Sequence, residues 1–510
     1  MNSFAMFDVN RDHMPAKLKI SALALACGVM ITGCNSEDDD PLVVENNAVT
    51  KEVRMLVAQQ ALTASPETGR DLPEVGSPLV TLGMQLFFSQ ALSGEMDVAC
   101  VSCHHPALGG GDDLALSIGV EAVDPMLLGS GREHRSDGAA FDGGPTVPRN
   151  APTTFNIGLY DKAIFHDGRI ESVEATAGAN GFDTQILTPD SPNRDTADAK
   201  AVNLAAGQAR FPVTSNEEMK GHKKGALNNE GIRDYLVARL RGENDDLPTN
   251  EWLAAFRVGL QDEAGSAESL ITQANIFNAL AEYERSQVFV LNDWRAFVQG
   301  DDDAISLEAK QGAKLFFAAK EDGGANCASC HSGDFFTDES YHNIAMPQIG
   351  RGKGDGLTGT NDFGRFKVTK QEADKFSFRT PALLNVAVTG PYGHSGAYQS
   401  LEAVVRHHLN VESAVTNYAM SDNVSQVGVQ IDDLMTNTQL ALDKLAADRG
   451  AAVAGLIEDL TLTDEQVAQL VAFLNTLTDQ CVTDASCFNQ WVPSDSTPDP
   501  DGLRVVAKFQ

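Results

Sequence analysis

The feature that most constrains this chain is a five-residue motif that occurs twice. Cys100-Val101-Ser102-Cys103-His104 and Cys327-Ala328-Ser329-Cys330-His331 both read C-x-x-C-H. With 8 cysteines and 11 histidines in 510 residues, chance would supply about 0.003 such motifs. Two thiols three positions apart can each add to one vinyl group of a haem, and the histidine that follows turns under the porphyrin to ligate iron. The motifs therefore read as two c-type haem attachment sites, with Cys100, Cys103, Cys327 and Cys330 as the attaching thiols and His104 and His331 as iron ligands. A zinc ribbon or a thioredoxin-like dithiol would need neither histidine, and no βαβ pattern surrounds either motif.

The repetition extends beyond the cysteines. Gly83-Met84-Gln85-Leu86-Phe87-Phe88 precedes the first motif as Gly312-Ala313-Lys314-Leu315-Phe316-Phe317 precedes the second. Downstream, Pro152-Thr153-Thr154-Phe155-Asn156 leads to His166-Asp167-Gly168, and Pro381-Ala382-Leu383-Leu384-Asn385 leads to His394-Ser395-Gly396. Two copies of one haem-sized module are the simplest account. Between these markers, 269–290 and 463–476 carry helical periodicity, the latter opening on Thr-Asp-Glu. Gly/Pro/Asp-rich stretches at 109–113, 129–148 and 350–364 read as loops, no run of strands is evident, and Asp301-Asp302-Asp303 marks the best boundary between modules.

The formal charge of −33 repels phosphate backbones and excludes nucleic acid as a partner, while it would steer a basic one. Lys17 and Lys19 precede an apolar stretch, 20–31, too short to span a bilayer, which ends in Ile31-Thr32-Gly33-Cys34. That pattern is a lipoprotein-type signal over 1–33 with Cys34 as the acylated residue; a plain secretory signal is the alternative, and Met14 could be its true start. Either exports the chain. Residues 34–72 are expected to form a disordered acidic tether. The remaining cysteines are Cys27, inside the signal, and Cys481 and Cys487, expected as a disulfide in a tail over 481–510, with free thiols as the alternative.

The ordered set L-G-x-x-L-F-F, C-x-x-C-H, S-I-G, R-N-A-P-T, F-x-D-G-R, Q-x-x-x-P-x-x-x-x-x-E-M, G-x-x-L-F-F, C-x-x-C-H, F-R-x-P-x-L-x-N-V-A-x-T-G-P-Y and L-E-x-V-V, over roughly 82–474, resembles the bacterial di-haem cytochrome c peroxidases and their relatives that oxidise tryptophans in partner proteins. The resemblance implies a mainly α fold of two cytochrome c-like domains: 73–300 with a peroxidatic haem and 301–480 with an electron-transfer haem. It also implies reduction of H2O2 in the periplasm, a small c-type cytochrome or another periplasmic donor, and Ca²⁺ near the interface. A membrane is reached only through the lipid anchor, and a homodimer is left open. One alternative function is oxidation of a partner protein's side chains; another is a pure electron carrier with both irons closed.

Carried over residue by residue, the resemblance makes Gln208, Pro212 and Glu218 the distal pocket, with Glu218 as acid/base. His408 becomes the second iron's distal ligand, where the classical peroxidases have Met and the protein-oxidising relatives Tyr; His407 and Met346 are its rivals. Asn150, with carbonyls around Thr380, is the candidate calcium site. Two departures stand out. His166 occupies the place of the family's tryptophan between the haems, where it is expected as a hydrogen-bonded link. Val120 occupies the place of a histidine that closes the resting iron, so the first haem is expected to be open, unless His134, in the insertion 121–148, folds back onto it.

Overall fold

A computed structural model of the protein describes residues 41–506; the expectations for the signal, Cys27 and Cys34 lie outside the described residues. The described residues divide into two units between Glu45 and Asn46. The described part of the first, 41–45, is helical. The packing and the site described below lie within the second unit.

Helix Pro78–Phe88 crosses helix Gln273–Arg285, and helix Leu307–Phe317 crosses helix Asp464–Asn475. The repeated G-x-x-L-F-F sequence is what permits both crossings. A Cβ on Gly83 would stand 1.9 Å from the carbonyl oxygen of Ala279, and one on Gly312 1.8 Å from that of Gln469. No side chain fits there, so each glycine lets two backbones touch while the following Leu-Phe-Phe enters the core. Phe87 meets Tyr283, and Phe316 and Phe317 meet Phe473, in tilted or edge-to-face ring contacts.

The repeated P-x-x-x-N pattern meets at one point. Asn156 and Asn385 both adopt left-handed backbone conformations, φ 61° and 66°, and both donate from Nδ2 to the carbonyl oxygen of Phe289, at 3.1 and 2.9 Å. Two equivalent asparagines thus pin one carbonyl in the segment joining the modules. This also explains why the helix expected over 269–290 is shorter. Thr272 caps a new start by accepting from the N–H of Asn275, and past Arg285 the backbone turns its polar groups to these asparagines.

Other expectations need correction. The tether expected over 34–72 is ordered from residue 41: helix Pro41–Gln59 buries Val53 and Val57, and Leu62 and Ala64 join the same core. Arg54 pairs with Asp302 at 2.6 Å, and Arg70 with Asp161 at 2.8 Å. The acidic stretch 37–40 masked an apolar stripe further on. Short strands also exist. Ala163–Ile164, Ile170–Ser172 and Ile186–Leu187 form an antiparallel sheet, and Tyr341–His342 pairs with Phe378–Arg379. At two or three residues each, they are too short to leave an alternating pattern. A disulfide joins Cys481 and Cys487.

Candidate active site

One cavity, enclosing about 920 Å³ of empty space with its mouth included, is lined by Cys100, Cys103 and His104 together with Gln208, Pro212 and Glu218. Residues more than a hundred positions apart meet there because of three local devices. The C-x-x-C-H segment folds as a tight turn, Cys100–Ser102, whose Cys100 carbonyl accepts from the N–H of His104 at 3.1 Å. Helix Leu204–Ala209, capped by Asn203, delivers Gln208 at its last turn, and Pro212 opens the next turn. Glu218 stands on a single wide helical turn, Asn216–Lys220, whose cap is Ser215. Gly119 locks this turn in place: a Cβ there would lie 2.1 Å from the carbonyl oxygen of Glu217, and the N–H of Val120 donates to that oxygen at 3.2 Å.

The histidines are set for metal binding. His104 Nδ1 lies 3.1 Å from the carbonyl oxygen of Gly110, His331 Nδ1 3.1 Å from that of Phe336, and His408 Nδ1 2.8 Å from that of Val404. Each carbonyl calls for a proton on Nδ1, which leaves the lone pair on Nε2. Burial pushes the pKa of all three below the imidazole range, His331 to about 4, so they are neutral at pH 7. The rings of His331 and His408 have centres 6.4 Å apart. With a metal–nitrogen bond of about 2 Å and about 1 Å from nitrogen to ring centre, two imidazoles on opposite sides of one metal need about 6 Å.

The rivals of His408 are engaged elsewhere. His407 receives the Tyr398 hydroxyl at Nδ1, 2.9 Å, and its Nε2 lies 2.7 Å from the carbonyl oxygen of Ile344. Met346 packs among Leu116, Ile349 and Tyr398. His134 lies 2.9 Å from the Arg135 carbonyl through Nδ1 and stacks on Phe141; it does not line the cavity. His166 does line it, with Nε2 3.0 Å from the carbonyl oxygen of Asn150. Asn150 itself donates from Nδ2 to Leu114 and Ala115 carbonyls, and the Thr380 carbonyl accepts from Thr337 and Arg379.

The donors fit covalent haem better than the alternatives. Burial raises the Cys103 and Cys327 thiols to about 12, the opposite of what a reactive dithiol requires. Cys330, Asp338 and His342 could by type hold another metal. However, Cys330 belongs to the attachment motif, and the Asp338 carboxylate raises His342 to about 10, which protonates it. In the cavity, Gln208 Oε1 is buried with no hydrogen-bond donor among the described residues, a polar atom that a ligand would satisfy.

Four charged groups of this cavity were not singled out in the sequence. Arg149 is spent on Asp362, at 2.6 and 2.8 Å, and on Asp167, at 2.7 Å; it holds both carboxyls far below their usual range against burial. Arg169 leans over the Phe165 ring, 3.4 Å from its centre. Lys353 enters from the second module, and Glu284 lines the wall beside Cys100. Glu218 has its pKa raised by burial, an effect that Arg169, Lys353 and Arg149 oppose. The R-N-A-P and F-x-D-G-R motifs contain Arg149 and Arg169 but give no hint that both meet Asp167 or that Arg149 also pairs with Asp362 of the other module.

The model of the di-haem cytochrome c peroxidase family matches residues 77–303. A methylamine utilization protein, MauG, of Methylorubrum extorquens is 29% identical over 332 residues, 65% of this chain and 68% of that one. The cytochrome c551 peroxidase of Pseudomonas aeruginosa is 27% identical over 325 residues, covering 64% and 69%. Among solved structures, a MauG-like protein associated with microbial copper homeostasis aligns with a TM-score of 0.51 at 20% identity, covering 85% of this chain and 97% of its own. The di-haem peroxidase BthA of Burkholderia thailandensis aligns at 0.50 and 18%, covering 85% and 96%. The doubled C-x-x-C-H motif, the shared cavity and these likenesses converge on the di-haem cytochrome c peroxidase family, whose model matches residues 77–303 of the chain.

Proposed function

We propose that the chain is an exported di-haem peroxidase that reduces H2O2 to water, with one haem domain over 73–300 and a second over 301–480. The observation that carries this reading is the meeting of Cys100, Cys103 and His104 with Gln208, Pro212 and Glu218 around one cavity. An iron porphyrin held by Cys100, Cys103 and His104 supplies a coordination position for peroxide and the electrons that cleave it. The chain's own residues manage the protons. Glu218, its carboxyl raised above the ordinary carboxylate range by burial while three nearby cations oppose the shift, accepts a proton from one peroxide oxygen and returns it to the other as that oxygen leaves. Gln208 Oε1 offers an acceptor that orients the peroxide, and Pro212 shapes the wall without adding a competing N–H.

His331 and His408 would hold the second haem through their Nε2 atoms, and a haem held by two imidazoles would suit electron relay rather than peroxide binding. The donor is a small c-type cytochrome or another periplasmic reductant, and the chain reaches the membrane through Cys34. The Ca²⁺ implied by the resemblance is assigned to Asn150 and Thr380, which metal analysis of the purified protein checks. Oxidation of a partner protein's side chains is the second reading, favoured by the likeness to the methylamine utilization protein.

Glu218→Gln keeps size and polarity but removes the base, so turnover with H2O2 should fall by about 10² or more at normal haem content; wild-type turnover would refute the proton role. His408→Met should leave the second haem low-spin and raise its potential, because thioether favours ferrous iron. An unchanged potential would return the ligand to His407 or Met346.

A further inference from the structure

We infer that Lys353 is the proton-relay residue of the peroxidatic cavity, passing protons from solvent to Glu218. The inference rests on the peroxidase reading and adds to it the source of protons that the reaction consumes. Reduction of H2O2 takes up two electrons and two protons and releases two waters. Glu218 can move the peroxide's own proton from one oxygen to the other, which completes the first water; the two protons of the second must come from outside.

The cavity's other cations are committed, and Lys353 is not. Arg149 satisfies Asp362 and Asp167 together, and Arg169 bonds Asp167 at 3.3 Å while covering Phe165. Lys353 Nζ has no hydrogen-bond or ion-pair partner among the described residues, yet the residue lines the same cavity as Glu218. Lys353 and Glu218 are each partly exposed as residues, and both line this one cavity, which opens to solvent at its mouth.

The loop that carries it is built for delivery. Lys353 stands between Gly352 and Gly354, both at positive φ, 69° and 78°. A Cβ on Gly352 would lie 2.0 Å from the carbonyl oxygen of Thr360, so the hairpin closes only with glycine there. The Lys353 N–H donates to Asn361 at 3.0 Å, and its carbonyl accepts from Lys367 Nζ. Arg351 ties the loop to the first module through the Asp142 carboxylate, 2.9 Å, and the Thr146 carbonyl, 3.3 Å. The backbone is thus fixed at both modules and only the long side chain remains free to move.

The electrostatics suit the role. Burial, with Arg149 and Arg169 nearby, lowers the Lys353 amine to about 8, while Glu218 and Asp167 oppose the shift. An ammonium of that acidity can give a proton to the Glu218 carboxylate near neutral pH and regain one from water. Each relay step moves one proton from Nζ to the carboxylate, which hands it to the oxygen being reduced, and Nζ is reprotonated from solvent; two such steps supply the second water and return both groups to their starting charge.

Lys353→Met and Lys353→Arg holoenzymes test the inference against wild type. Lys353→Met is expected to keep the haem content and KM but lose about tenfold in kcat at pH 7, and to lose the fall in kcat that wild type shows above about pH 8. Lys353→Arg is expected to move that limb to higher pH. A second readout needs no turnover: the infrared carboxyl band of Glu218, identified by its loss in Glu218→Gln, should titrate at higher pH in Lys353→Met, because a neighbouring cation has gone. Wild-type kcat and pH profile in Lys353→Met, with an active wild type, overturn the relay alone. A wild type that does not turn over H2O2 overturns the peroxidase reading and, with it, the relay.

Discussion

Glu284 presents a carboxyl to the cavity wall with Oε2 meeting no donor among the described residues. Burial raises its pKa to about 8, and the titratable groups beside it, Cys100 and Tyr283, offer no positive charge. The consequence for stability has a definite sign. Between about 4.5 and 8 the folded chain holds a proton that the unfolded chain has released, so unfolding free energy falls as pH rises through this window and is level above it. Glu284→Gln removes the slope. Its stability relative to wild type should therefore grow from pH 5 to pH 8, by at most about 1.4 kcal/mol per unit. Denaturant titrations of both proteins at the two pH values check this, and parallel changes would show Glu284 to be ionised at no cost. A buried acid of this kind was not legible in the sequence. Within the helix ending Glu282-Tyr283-Glu284-Arg285, three charged residues read as a solvated turn, whereas the structure buries Glu284 together with Tyr283 and Arg285.

At the scale of elements, the segment Ser117-Ile118-Gly119-Val120 decides how the first haem rests. Val120 is fully buried and gives its N–H to Glu217, so the segment serves as a backstop for the Glu218 turn and carries no ligand. His134 is held away by Arg135 and Phe141. Fully oxidised enzyme mixed with H2O2 in a stopped-flow instrument should therefore react at once, without prior reduction. A reaction that waits for one electron would mean that a histidine closes the site. These elements were the readable part of the chain. The glycines of both G-x-x-L-F-F copies, the Thr463 cap and the two attachment turns follow from spacing alone. The short strands and the ordered segment after residue 41 did not, since a two-residue strand has no period and a weakly amphipathic helix depends on the core it meets.

For the whole molecule, a formal charge of −33 sets the long-range field. Reduction by a lysine-rich cytochrome should be fast at low ionic strength and slow by about tenfold or more on going to 0.2 M salt, whereas an acidic donor should show the opposite trend. Equal salt dependence for both donors would show that the field does not guide docking. The residues that join the modules were also hidden in the sequence. Arg149 lies in one module and Asp362 in the other, and nothing in their spacing foretells a pair 2.6 Å apart.

The glycine crossings also fix an order of assembly. Gly83 cannot meet Ala279 until about two hundred residues between them have been delivered, and Gly312 must wait in the same way for Gln469. Because closing so long a loop is slow, each cysteine pair stays accessible during the interval in which the chain emerges and is threaded. A haem bound for Cys100 and Cys103 would therefore reach them most readily before the helix Gln273–Arg285 closes on Gly83.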